Sequence, residues 1–443
     1  MTIPPAWWEA EPYRSPSTPQ CEADERAAAD EVFRWLAFDT TAVADAGALL
    51  DGLATRLSAA GLDLWRINMQ MRPLSPQIAA LLYVWRPVER GIEMSSHAQI
   101  IGQNLHTHEG GVVQITSLGH GVFASPSYLA SPFYRIVGLG EREVRRSLAD
   151  PSTFDFPILR DLLEQGATDY LALPLLFHGT APCAISFVTR RAGGFLDRHL
   201  ALLRRVIAPF SLAMSPWIMA YATRTLLGAY LGAKTGDKVL AGKVERGDVE
   251  EIDATLWFSD LRGFTPMSRG VPSRELIGWL NDYFAAVARA IQKHDGEILK
   301  FIGDAILAVW PVTEARSREA SCRAALAAAR DANDELDRLN ADRAARGLAP
   351  MNHGIGLHVG PVQYGNIGAE GRLDFTVIGP AVNMASRIES TCAKLSRRVL
   401  ASAAVAAHAG EALVSLGRVE LKGIDGTPEL FGLPEPAGQP GDP

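Results

Sequence analysis

From residue 254 onward, short strand-like runs alternate with long amphipathic stripes, and this alternation limits the fold more than any other feature of the chain. Residues 254–259 read as a strand. Ser273 then opens a helix whose apolar stripe is Leu276, Leu280, Phe284, Val287 and Ile291, ending at Gly296. Residues 298–302 and 305–310 read as two strands joined in a hairpin at Gly303-Asp304. A long helix runs over 317–346 and stops at Gly347, followed by strands at 355–359 and 375–378. Pro380 starts a helix through Ser390, and paired strands at 418–422 and 428–433 close the region.

The order β-α-β-β-α-β predicts an α+β, ferredoxin-like domain. Two acids stand at its strand ends, Asp260 in Trp257-Phe258-Ser259-Asp260-Leu261-Arg262-Gly263 and Asp304 in Lys300-Phe301-Ile302-Gly303-Asp304. Carboxylates at strand ends, with glycines that let phosphates approach, suit hard divalent cations bridging protein and nucleotide. Taken alone, each is an ordinary turn residue.

At 443 residues the chain fits two or three domains. A composition of 47% hydrophobic and 21% charged residues is that of a globular protein, and a net charge of −7 argues against nucleic acid as a partner. Cys21, Cys183, Cys322 and Cys392 form no CxxC pair, which points to free thiols in a reducing compartment. No signal peptide is apparent, and the uncharged stretch 206–223 carries Pro209 and Pro216. It reads as a buried or dimer-forming helix, so no membrane span and a cytoplasmic location are expected.

Residues 1–28 read as a flexible arm and 435–443 as a disordered tail. Between 29 and 215 a helical pattern (Val32, Trp35, Leu36, then Leu49, Leu50, Leu53, Leu57) precedes strands at 62–69, 78–85 and 112–117. A loop-rich middle follows, then a helix at 158–165, strands at 170–177 and 181–189, and a helix at 197–207. This is an α+β domain of sensor-like organisation. Residues 216–251 read as a helical linker. Gly232-Ala233-Lys234-Thr235-Gly236 lacks the spacing of a phosphate loop and is not one. His106, His108 and His120 read as surface or core histidines, and Cys183 as core.

Asn383 and Arg387 lie four apart on the helix after Pro380 and share a face that can hold a ribose and a phosphoryl group, or simply face solvent. Lys300, four before Asp304, is placed on the same side by the two-residue period of a strand. Lys422 before Gly423 can meet a triphosphate or be an ordinary hairpin lysine.

Together these residues resemble the class III nucleotidyl cyclase catalytic domain over about residues 250–433. The resemblance rests on Phe258-Ser259-Asp260-Leu261-Arg262-Gly263-Phe264-Thr265, on Lys300-Phe301-Ile302-Gly303-Asp304, and on the run from Phe375 through Thr376, Gly379-Pro380 and Asn383 to Arg387. It implies a catalytic domain over 252–434 acting as a homodimer with composite active sites. In that family Asp260 and Asp304, with the Leu261 carbonyl, would bind two Mg²⁺ or Mn²⁺ ions per site. Lys300 and Thr376 would select the purine, Asn383 and Arg387 would orient the ribose and stabilise the transition state, and Lys422 would hold the β- and γ-phosphates.

Guanylyl cyclases of the family carry Glu where this chain has Lys300, so ATP is the implied substrate. Thr376, in place of the more common Asp, resembles the class IIIb subgroup. The implied reaction converts ATP to 3′,5′-cyclic AMP and pyrophosphate, with no dedicated general base in view. A guanylate cyclase and a non-catalytic nucleotide-binding or dimerisation module are the alternatives; a diguanylate cyclase would need a GG[DE]EF signature that is absent. The order of elements over 29–215 looks like a GAF domain, open to a small-molecule ligand, and 225–250 resembles the short transducer that precedes such cyclase domains.

Overall fold

The computed structural model describes residues 19–88, 100–177, 183–410 and 413–434. Residues 1–18 of the arm expected over 1–28 and the 435–443 tail lie outside the described residues, whereas residues 19–28 are not a loose arm but the first half of a helix, Pro19–Phe38. The chain divides into two compact units, residues 1–226 and 227–443.

The first unit contains α1 (Pro19–Phe38), α2 (Ala46–Ala59), β1 (Leu64–Met71), β2 (Ala80–Pro87), β3 (Ile100–Thr107), β4 (Gly111–Leu118), α3 (Pro126–Leu129) and α4 (Pro132–Val137). It continues with β5 (Val144–Ser147), α5 (Ile158–Glu164), β6 (Asp169–Leu175), β7 (Cys183–Thr189) and the start of α6 (Asp197–Leu231). Its seven strands form an antiparallel sheet in the order β3-β4-β2-β1-β7-β6-β5. One face packs on α1, α2 and α6 through Trp35, Leu49, Leu53, Ile67, Met69, Phe187, Val206 and Phe210. The other lies beneath α4 and α5, with Phe133, Ile136, Leu159 and Leu162 against Tyr170, Ala172 and Val188.

The helical pattern expected over 29–60 is two helices, because Asp45 caps α2 by accepting from the Ala48 amide at 2.8 Å. The helix expected at 197–207 runs on to Leu231 through Pro209 and Pro216. Proline breaks a helix when nothing else holds it. Here Leu203, Val206, Phe210, Met214 and Ile218 are all buried along one face, and that packing overrides the lost hydrogen bonds. By length and composition alone α6 is also apolar enough to cross a membrane.

The second unit contains α7 (Ala233–Leu240), β8 (Val249–Leu261), α8 (Phe264–Met267), α9 (Ser273–Lys293), β9 (Glu297–Ile302), β10 (Ala305–Pro311) and α10 (Arg318–Ala345). Then come β11 (His353–Ala369), β12 (Arg372–Ile378), α11 (Pro380–Thr391), β13 (Val399–Ser402), α12 (Ala403–Ala406), β14 (Val414–Arg418) and β15 (Glu429–Gly432). The sheet order is β14-β15-β13-β11-β8-β10-β9, with β12 folded back on β11. Among the described residues only β11 and β13 pair in parallel. The α+β, βαββαβ expectation therefore describes the core of this unit.

Helices α9 and α10 cover one face through Tyr283, Val287, Ala325, Leu326 and Leu336 against Trp257, Trp310, Ile355 and Leu357. Helix α11 covers the other, with Ala381 and Ala385 against Leu256, Leu307, Phe375 and Val377. Helix α7 is tied to the sheet by a buried network: Thr235 Oγ1 donates to Glu297 at 2.7 Å, and the Tyr364 hydroxyl donates to the same carboxylate at 3.1 Å.

Local details differ from the sequence reading. Ser273 is the first helical residue of α9 and caps nothing, since Pro272 precedes it in extended conformation. Strand β11 is 17 residues long because it pairs with both β8 and β12. The strand expected at 418–422 lies earlier, at Val414–Arg418, which leaves Lys422 exposed in the loop before β15.

Candidate active site

The antiparallel register of β8 with β10 sets Ser259 opposite Ile306, so Asp260 arrives beside the β9–β10 turn. That turn is the two-residue Gly303-Asp304 connection between the paired residues Ile302 and Ala305. Gly303 has φ 65°, a conformation tight hairpin turns require and glycine adopts freely. The two aspartates expected to act together are thus brought together.

Burial raises Asp260 to about 6, helped by the negative charge of Asp304 and a hydrogen bond between the two carboxyls. The Leu261 amide donates to the Asp260 carboxylate and opposes this. Asp260 Oδ1 is shielded from solvent and has no hydrogen-bond partner. A buried carboxylate oxygen facing a second carboxylate, with nothing to satisfy it, is an arrangement that favours a bound cation.

A third acid joins them that the sequence did not single out. Glu389 on α11 is pushed up to about 8 by burial first, then by the charge of Asp260 and, more weakly, Asp304; Arg262 opposes the shift. It lies over Gly354, where an added Cβ would stand 2.5 Å from Glu389 Oε1. Gly354 itself is paired with Asp260 across β11 and β8. One glycine further along, a Cβ on Gly356 would stand 2.3 Å from the Ala385 carbonyl oxygen and 2.4 Å from the Glu389 amide nitrogen. Bare backbone at Gly356 lets α11 lie against β11 this closely, and at Gly354 it leaves room for the Glu389 carboxylate. The legible signal was the Gly-x-Gly spacing at 354 and 356 on a strand that faces a helix.

Asn383 and Arg387 share the exposed face of α11, as their spacing predicted. Two residues along a helix turn the side chain by about 200°. Glu389 therefore faces the aspartate pair while Arg387 faces away from it. Among the described residues no ion pair joins Arg387 to Glu389.

Lys300 departs from its expected setting. Strand β9 ends at Ile302, and its pairing with β10 shifts register between Lys300 and Ile298. Asp304 is a turn residue, so the two-residue period does not carry from Lys300 to Asp304. The Lys300 ammonium instead donates to Asp374 on β12. Asp374 is two residues before the buried Thr376 and on the same side of that strand. Lys300, Asp374 and Thr376 thus form a second cluster, at the β9–β12 edge, and Asp374 is a member the sequence did not suggest. Lys422 stays exposed in its loop.

Residues 248–434 match the family described as the adenylate and guanylate cyclase catalytic domain. The chain is 35% identical over 175 residues to Adenylate cyclase 1 of Rhizobium meliloti, covering 39% of this chain and 26% of that protein. It is 37% identical over 166 residues to an adenylate cyclase of Anabaena cylindrica, covering 37% of this chain and 32% of that one. It therefore spans about a quarter to a third of the length of these two relatives. Among solved structures it is similar to the adenylyl cyclase CyaB from P. aeruginosa, with 26% identity and a TM-score of 0.40, covering 42% of this chain and 96% of that one. The unit that carries Asp260, Asp304, Lys300, Thr376, Asn383 and Arg387 is a catalytic domain of the adenylate and guanylate cyclase family.

Proposed function

We propose that this chain is an adenylate cyclase, converting ATP to 3′,5′-cyclic AMP and pyrophosphate at sites shared between two copies. The observation that carries the reading is the Asp260–Asp304 carboxyl pair with its buried, unsatisfied oxygen. Two carboxylates and the adjoining Leu261 carbonyl form an all-oxygen donor set of the kind Mg²⁺ or Mn²⁺ prefers. Two such ions, held by Asp260, Asp304 and Leu261, would supply Lewis acidity at the ribose 3′-hydroxyl and neutralise triphosphate charge.

The remaining roles fall to the chain's own side chains. Lys300 donates to the adenine ring and the Thr376 hydroxyl accepts from its amino group. Asp374 holds the Lys300 ammonium beside Thr376 and limits its rotamers before substrate arrives. Asn383 orients the ribose, and Arg387 offers its guanidinium to the charge that builds at the α-phosphate. Lys422 steadies the β- and γ-phosphates from its loop.

The orientation of α11 supports a shared site, since Arg387 of one copy faces away from that copy's own aspartates. Lys300, Thr376, Asn383 and Arg387 of the partner subunit would complete the aspartate pair. Exposed Phe301, Ile302, Leu373 and Ile378 border the same edge and give a second copy apolar surface to cover.

Two similar proteins are named adenylate cyclases, which favours ATP. GTP is the runner-up because the Thr376 hydroxyl can donate as well as accept, and so excludes guanine less firmly than a carboxylate would. The GAF-like domain, 29–215, acts as regulator through the 216–251 transducer. Because one face of α6 is packed in the first unit's core, the enzyme is read as cytoplasmic.

Purified protein with Mn²⁺ and either ATP or GTP is the direct test. Cyclic AMP should form from ATP well ahead of cyclic GMP from GTP, and Asp304→Ala should abolish it. Equal activity in the variant would remove the metal assignment, and faster turnover of GTP would reverse the substrate.

A further inference from the structure

Strand β1 lies inside a sheet covered on both faces, a setting where both rows of side chains are usually apolar. One row obeys, with Ile67, Met69 and Met71 in the core against α2 and α6. The other row is Arg66, Asn68 and Gln70. Three polar side chains in succession beneath a helical cover need partners, and each has a buried atom without one. Arg66 Nε, Asn68 Oδ1 and Gln70 Oε1 are all shielded from solvent and unbonded, and Gln70 is only 2% exposed.

All three line one cavity of about 300 Å³ between the sheet and α3, α4 and α5. Its walls are apolar, chiefly Leu82, Val84, Phe133, Ile158, Leu162 and Val188. Tyr170 and Ser186, also in the lining, satisfy each other. Asp161 on α5 is the lining carboxylate, and no ion pair within 4 Å joins it to Arg66. Burial, and then the nearby Arg86, lower Arg66 to about 10, and Tyr170 and Asp161 only partly oppose the shift. A volume of this size with apolar walls and a few convergent polar groups is that of a small-ligand site.

We propose that this cavity binds a small organic acid: a ring-sized apolar body with one carboxylate for Arg66 and at least one O–H or N–H donor for Asn68, Gln70 or Asp161. The carboxylate supplies the acceptor that Arg66 Nε lacks. The donor satisfies the amide oxygens of β1, and the ring fills the space between Val84, Phe133 and Leu162. This deepens the reading of the N-terminal domain as a regulator by giving it a ligand chemistry.

Isothermal titration calorimetry on the full chain tests it with phenylacetate, 4-hydroxyphenylacetate, indole-3-acetate and the neutral 4-hydroxyphenylacetamide. Heat is read without turnover, so the result stands apart from whether the C-terminal domain makes cyclic AMP. The acids should bind, those with a donor more tightly than phenylacetate, and the amide should bind roughly tenfold to a hundredfold more weakly than its acid. Arg66→Met should cost the acid a similar factor and leave the amide unchanged. Leu82→Phe, which fills the cavity from the opposite strand, should weaken acid and amide alike and covers the case in which the Arg66 variant misfolds. No binding of any acid at millimolar concentration, equal binding of acid and amide, or full acid binding in a folded Arg66→Met protein would each overturn the proposal.

Discussion

Replacing Gly356 with alanine should disable the enzyme although no reactive group is touched. The new Cβ would stand 2.3 Å from the Ala385 carbonyl oxygen, 2.4 Å from the Glu389 amide nitrogen and 2.9 Å from the Glu389 Cα. Ordinary contact begins at 3.4 Å, so α11 must move off β11 by about 1 Å. The obstructing atoms are helix backbone and cannot swing aside. Asn383 and Arg387 ride on the same helix. A displacement of about 1 Å at groups that meet the transition state costs about a hundredfold in rate. The accompanying overpacking costs about 1–3 kcal/mol of stability, little enough for the domain to remain folded. Initial rates of cyclic AMP formation over a range of ATP concentrations, with a thermal unfolding curve, separate the two effects. The loss should fall on kcat more than on KM, because the roles proposed for Asn383 and Arg387 are in the transition state. Gly354→Ala is the internal control. Its nearest obstacle, at 2.5 Å, is the tip of the Glu389 side chain, which can rotate away, and the next is the Cys392 Cβ at 3.1 Å. That variant should lose tenfold or less in rate. A folded Gly356→Ala protein with wild-type kcat would refute the reasoning, as would a Gly354→Ala protein that is equally impaired.

Two further outcomes follow from buried groups in the C-terminal unit. Burial holds His353 down to about 3, with Arg398 and Arg262 adding to it, and holds His358 down to about 4. Both stay neutral in the folded state while the unfolded chain takes up protons below about 6.5, so their contribution is complete above that pH and lost as pH falls through about 4 for His358 and about 3 for His353. Each histidine adds about 1.4 kcal/mol per pH unit to the loss; His353→Gln should flatten the fall in unfolding free energy between pH 6.5 and 5 by that share, and an unchanged slope would contradict it. Glu297 accepts from both Thr235 and Tyr364 in a buried setting. Glu297→Leu should destabilise the protein in urea by about 1–3 kcal/mol for each orphaned hydroxyl and Glu297→Gln by less, whereas identical midpoints would mean that the network does not hold α7.

The C-terminal fold was largely legible because its strands and helices carry distinct periods and clear stops, such as Gly303 in the hairpin and Gly347 after α10. The approach of Asp260 and Asp304 was legible for the same reason, each following a recognisable strand. Glu389 and Asp374 were not, because their importance comes from tertiary approach: one reaches across two glycines, the other across a strand edge to Lys300. The two-residue period failed between Lys300 and Asp304 because a register shift and a turn intervene, neither of which alternation records. In the N-terminal unit β3 and β5 escaped notice, since Ile100–Thr107 and Val144–Ser147 lack a sustained apolar alternation. The polar row of β1 was present in Arg66-Ile67-Asn68-Met69-Gln70, yet it reads as a solvated strand face until helices are seen to cover it.

Subunit complementation tests the shared adenylate cyclase site most directly. Asp304→Ala lacks half of the carboxylate pair, and Arg387→Ala lacks the guanidinium expected from the other copy. Each variant should be silent with ATP and Mn²⁺ when assayed alone. Unfolded and refolded together in equal amounts, they should recover about a quarter of wild-type cyclic AMP formation, because half the dimers are mixed and each holds one intact site. A mixture as silent as its components, with both proteins folded and dimeric, would contradict the shared site.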